Sequence, residues 1–260
     1  MPLRTISATD ATVPTSRIAR SGERVRRRWF FTGMATLMLV TSIAGFAPAI
    51  LNPAARRAPL SLLGAAHGAA FFVWIVIFLV QVLLVESGRV VWHRRLGLVS
   101  AFGLAVLIPL GYAVTVAMVR RGFDMSGDQG VGPQMDAPTA SVFNFVDLLE
   151  FALLVAGALW FRRRPAIHKR LMLFANIELM GAPITHLLGH HGLLTPGSVL
   201  GVFAIFVLAA VGGDYLVDKR VHPLTGCLAI LSLAFLPVEG ALLGPSAAWH
   251  HFVAWLARGA

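Results

Sequence analysis

Residues 161–192 read FRRRPAIHKRLMLFANIELMGAPITHLLGHHG. Five cations, Arg162, Arg163, Arg164, Lys169 and Arg170, lead into an apolar stretch that ends on His186, His190 and His191. A hydrocarbon layer of about 30 Å takes roughly 20 apolar residues of helix to cross, and Lys and Arg gather on the cytoplasmic side of such a helix. Pro165 stands at the helix entry, where its missing N–H costs nothing. The stretch therefore predicts a membrane-spanning helix with a basic anchor at one end and ionisable side chains near the other.

The same pattern repeats along the chain. Apolar runs occupy about 30–51, 60–86, 96–119, 142–161, 171–190, 197–217 and 224–243 of the 260 residues. The breaks between them carry turn residues, among them Asn52-Pro53, Ser87-Gly88 and Thr195-Pro196-Gly197. Lipid offers the backbone no hydrogen-bond partner, so such runs must be helices. The chain is 57% hydrophobic and 13% charged, against about 25% charged residues in a soluble domain. The fold class is an all-α polytopic membrane protein with seven transmembrane helices.

The net charge of +10 is not a nucleic-acid signal, because the cations flank the apolar runs. With the amino terminus in the cytoplasm, the inner segments hold seventeen Lys and Arg and the outer segments five. This asymmetry sets the orientation and leaves the carboxyl terminus outside. Residues 1–28 read as a disordered basic cytoplasmic tail, 29–245 as the seven-helix domain, and 246–260 as a short amphipathic helix at the outer interface. Arg27-Arg28-Trp29-Phe30-Phe31 resembles a twin-arginine export signal, but the run after it exceeds the roughly 7–15 residues of a signal peptide. The first helix is therefore expected to be retained. Cys227, the one cysteine, has no intrachain partner and reads as a small core residue.

A repeat relates two helix starts. His93-Arg94-Arg95-Leu96-Gly97-Leu98 matches His168-Lys169-Arg170-Leu171-Met172-Leu173 seventy-five residues later. Helices 2–3 and 4–5 are thus expected to be parallel repeated hairpins, an arrangement that often encloses a site. His93 and His168 have two readings: ligands of an inner haem whose propionates the arginines hold, or contacts to anionic lipid headgroups.

Ionisable residues inside a span are costly and mark function. Counting along the runs places His67, Asp147, Glu150, His186, His190 and Glu239 at similar depth in the outer leaflet. His186 and His190 share a helix face at i, i+4, a spacing that suits zinc, copper or iron. His67 offers a third nitrogen, and Asp147 and Glu150 offer carboxylate ligands or orienting partners. Asp147 lies too deep for a helix cap, and Glu150 deeper still. Glu178 and Asp214 lie where each would pair with an arginine of the inner loops. The outer loop 120–141 holds Asp124, Asp128, Asp136, Met125 and Met135, compatible with calcium or copper but more simply a solvated loop.

The His-Arg-Arg-Leu-Gly and Arg-Arg-Pro-x-x-His-Lys-Arg-Leu-Met segments, with Asp147-Leu148-Leu149-Glu150-Phe151-Ala152-Leu153-Leu154-Val155 before the second, resemble a group of uncharacterised bacterial multi-span membrane proteins. The likeness covers about 60–190 and implies a bacterial inner membrane. The His-Lys-Arg-Leu-Met helix start also looks like that of small proteins linked to cytochrome oxidase maturation. Paired membrane histidines are similar to those of cytochrome b561-like carriers. Helix 4 has no histidine, so a bis-His haem would use His67 with His186 or His190. Seven-span zinc hydrolases of lipid amides share the His-x-x-x-His helix and an intramembrane Asp.

These likenesses imply a haem or transition-metal site (copper, zinc or iron) made from His67, Asp147, Glu150, His186 and His190, used in electron transfer or maturation of a respiratory complex. Two alternatives are a zinc hydrolase and a non-enzymatic transporter or scaffold whose buried acids and histidines relay protons.

Overall fold

The computed structural model describes residues 15–56, 59–122 and 135–259. It is all-helical, and seven of its helical segments are long and apolar enough to cross a membrane. In chain order these are α1 (Thr15–Leu51), α2 (Leu62–Glu86), α3 (Val90–Arg121), α4 (Ala137–Trp160), the pair α5 (Pro165–Glu178) and α6 (Gly181–His190), α7 (Pro196–Asp218), and α8 (Pro223–Val238) with a π-helical turn at Glu239–Leu243. A last helix, α9 (Ala247–Gly259), follows.

Side-chain caps set several boundaries. Ser61 accepts from Gly64 N–H, Asp136 from Thr139 N–H, and Thr195 with Ser198 forms a capping box, each satisfying a first-turn donor the helix leaves free. Gly122 closes α3 with φ 74°, a left-handed conformation that glycine adopts without Cβ strain.

Helix α1 starts at Thr15, not near residue 30. Arginine is a good helix former, so the helix runs back through the basic segment while the apolar span begins at Trp29. Residues 1–14 of the expected tail lie outside the described residues, as do Asp124, Met125 and Asp128 of the outer loop. Met135 and Asp136 are described, and Asp136 is the cap of α4.

The fifth span is the centre of the bundle. Its two halves pack against α1, α4, α7 and α8. It is the least apolar span, with mean hydropathy 1.4, and the most buried, at 61%; the other six have 1.9–2.7 and 17–39%. Lipid-facing helices must be apolar all round, whereas a central helix can carry Arg170, Asn176, Glu178 and His186 against protein. It is also broken. Proline at 183 cannot donate to the carbonyl of Leu179, and its ring crowds that turn. The helix stops at Glu178, turns through Leu179 and Met180, and restarts at Gly181.

α9 lies across α3 and α4. Val253 is buried, Trp249 Nε1 donates to Pro138 O at 2.8 Å, and Trp255 stays 65% exposed. One face of α9 thus rests on protein and the other is open.

Candidate functional site

The break in the fifth span lies beside a set of carboxyls. α4 and α5 form an antiparallel hairpin closed at 161–164. Glu150 and Glu178 stand fourteen residues either side of Arg164, and Asp147 and Gly181 seventeen. The structure places both pairs face to face. The Glu150 and Glu178 carboxyls are within hydrogen-bonding range of each other. A methyl in place of the Gly181 hydrogen would stand 2.9 Å from Asp147 Oδ2.

Glu239 joins from the π-helical turn. Pro237 removes the N–H that would bond Leu233 O, and the helix widens two residues later. Gly240 allows close approach to α4, since a Cβ there would meet Phe143 Cζ at 3.0 Å. Asp147, Glu150, Glu178 and Glu239 all lie within electrostatic range of one another.

Their polar partners are few. Ser232 Oγ donates to Glu178 Oε1 at 2.5 Å. Glu239 is 2% exposed, and its Oε2 has no hydrogen-bond partner among the described residues. Asp147 is enclosed by neighbouring atoms yet keeps part of its surface open, beside the partially positive first turn of α6. Two residues before Glu178, Asn176 accepts from Trp74 Nε1 at 3.2 Å and donates to Met172 O at 2.8 Å. Phe151 packs edge-on to Trp74, with centroids 5.2 Å apart. This layer closes the site on the side of the basic loops.

The expected pairing of Glu178 with an arginine is not formed among the described residues; Glu178 belongs to the carboxyl set. Asp214 does pair with a cation. Arg170, 3% exposed, donates through Nε and Nη2 to Asp214 at 2.9 and 2.6 Å, and through Nη2 to Asp218 at 3.1 Å. Thr225 Oγ1 and His222 N–H also donate to Asp214.

The histidines lie elsewhere. His186 is buried against Phe46 of α1, with ring centroids 4.7 Å apart, and against His190 at 6.3 Å. His190 Nε2 is 3.1 Å from Gly45 O, also on α1. His67 packs on Phe71 of its own helix, and its Nδ1 is buried with no hydrogen-bond partner among the described residues.

Among the described residues no three His, Cys, Asp or Glu side chains converge in a metal-ligating arrangement. His67 lies on α2, Asp147 and Glu150 on α4, and His186 and His190 on α6. Cys227 is exposed rather than a core residue.

No protein-family model, curated protein or solved structure matches the chain.

Proposed function

We propose that this protein is a proton-exchanging membrane carrier, with Asp147, Glu150, Glu178 and Glu239 as its proton-binding site. The observation that carries the reading is Glu239: 2% exposed, with one oxygen unpartnered among the described residues, three more carboxyls in electrostatic range, and no cation paired with it among those residues. Four like charges cannot coexist at such range in a low-dielectric interior. A proton shared between Glu150 and Glu178 would relieve their repulsion. The set therefore changes its proton content readily, and its titration belongs to the group rather than to one residue.

Two further features support a carrier. The site lies at a broken helix, and transporters place their sites at discontinuous spans. The π-helical turn under Glu239 is a second irregularity of the kind that recurs at functional positions. The cation asymmetry orients the protein in a cytoplasmic membrane with its basic loops inside.

The test is proton flux in liposomes holding a pH-sensitive dye. Flux driven by a pH step should fall at least tenfold in Glu178→Gln and in Glu239→Gln, with both variants folded. Unchanged flux in the double variant would overturn the reading. A Soret band or one metal per chain in the purified protein would replace it with the haem or metal reading.

A further inference from the structure

The repeated helix starts meet. His93, in the first turn of α3, and His168, in the first turn of α5, have ring centroids 6.3 Å apart at 79°. Each ring is held from behind. His168 Nδ1 is 2.8 Å from Ala158 O and donates to it. In the orientation that satisfies both its polar atoms, the Gln81 amide donates to His93 Nδ1 at 2.7 Å and accepts from Gly97 N–H at 2.9 Å. The Nε2 edges of both imidazoles are left for other partners.

Six arginines surround this joint: Arg89, Arg94, Arg95, Arg162, Arg163 and Arg164. All are exposed, and among the described residues none makes an ion pair. Arg170, by contrast, is taken up by Asp214 and Asp218. The concentration of charge also opposes the helices it decorates. α3 and α5 begin on Arg89 and Arg164, with no side-chain cap and no acid in the first turn. Helix starts carry partial positive charge and favour anions, so cations there are unfavourable unless an anion lies among them.

We infer that the joint between the two repeats, where His93 and His168 meet among exposed arginines, is a docking surface for the headgroup of an anionic phospholipid. The occupant is a lipid because the charge is continuous with lipid-facing apolar surface. Trp92, Val91 and Trp160 flank the patch at 58%, 62% and 81% exposure, and exposed tryptophans mark the headgroup level of a bilayer. Arg95 lies over the Trp92 ring at 5.2 Å and Arg164 over Phe161 at 5.8 Å, which holds guanidinium groups at that level. A zwitterionic headgroup carries the same phosphate but adds an ammonium, which the arginines repel.

The experiment measures lipid retained by the full chain in detergent, using native mass spectrometry, with phosphatidylglycerol and phosphatidylcholine as probes. Phosphatidylglycerol should be retained and phosphatidylcholine washed away. Arg94→Gln with Arg163→Gln should weaken phosphatidylglycerol retention about 10–30-fold, from about 1 kcal/mol per cation. Lys219→Gln with Arg220→Gln, an equal charge change at the same end of the bundle, should not. Thermal unfolding in phosphatidylcholine checks that both variants fold, and Arg95→Gln with Arg164→Gln serves as a second pair. Equal loss in both pairs, equal retention of the two lipids, or displacement by inorganic phosphate alone overturns the proposal.

Discussion

Two groups of buried charge sit on the same span, about two helical turns apart. Arg170 is ringed by acceptors: Asp214, Asp218, Thr225 and its own Ala166 carbonyl all take its protons. Glu178, eight residues on, faces Glu150, with Asp147 and Glu239 in range and one serine as donor. The first group sets carboxylates against a cation, and each guanidinium nitrogen of Arg170 has an acceptor. The second is single-signed among the described residues. Opposite charge ties α5 to α7, and the hydrogen bond to Thr225 ties it to α8. The single-signed set has protons to gain and lose, and for that reason the functional reading rests on it.

The strongest way to break this comparison is Arg170→Met. It leaves Asp214 buried with its guanidinium gone, and removing one member of a buried pair costs about 3–5 kcal/mol. Thermal unfolding in detergent should show a large loss of stability. A loss under about 1 kcal/mol would mean that the network does not hold the helices.

Gly181→Ala comes next. The new methyl would crowd Asp147 Oδ2 at 2.9 Å, and overpacking costs about 1–3 kcal/mol. Unlike Arg170→Met, it should also lower proton flux, because the strain falls on the carboxyl set. Flux unchanged at reduced stability would detach Asp147 from the site.

An exposed charge gives a third case. Asp136 caps α4, and hydrogen bonding from Thr139 holds its carboxyl below the usual range. Asp136→Ala should cost about 1 kcal/mol. A depressed acid adds stability above its unfolded value, near 3.9, and loses it as pH falls through the lower folded value. The gap between protein and variant should thus be full near neutral pH and close in acid. A gap that persists at about pH 2, well below that unfolded value, would mean that the carboxylate is not its source.

Much of this was legible in the residues. Apolar runs and their punctuation gave the seven spans, and the polar load of 161–192 marked the central one. Depth was readable for Asp147, Glu150 and Glu239, which do meet. Azimuth was not. His186 and His190 are at a suitable depth but face α1 at Phe46 and Gly45, and run length alone does not tell which neighbour a helix face meets. The break at Leu179–Met180 had a signal in Gly181-Ala182-Pro183, but an apolar run hides it, since hydropathy does not register a lost N–H. Glu178 lies nearer the basic end of its run, so run length alone points it to the arginines, while its neighbour across the hairpin is Glu150.

The smallest expected effect on stability falls where the effect on function should be largest. Glu239 is buried beside three carboxyls, and its unpartnered Oε2 gives no hydrogen bond to lose. Glutamine has nearly the same shape and carries no charge. Glu239→Gln should therefore change unfolding by less than about 1 kcal/mol, as substitutions that lose no partner and open no cavity do. Relief of like-charge repulsion makes the expected sign stabilising. If the variant instead unfolds as readily as Arg170→Met, Glu239 has a cationic partner, the carboxyl set is balanced after all, and the contrast with Arg170 disappears.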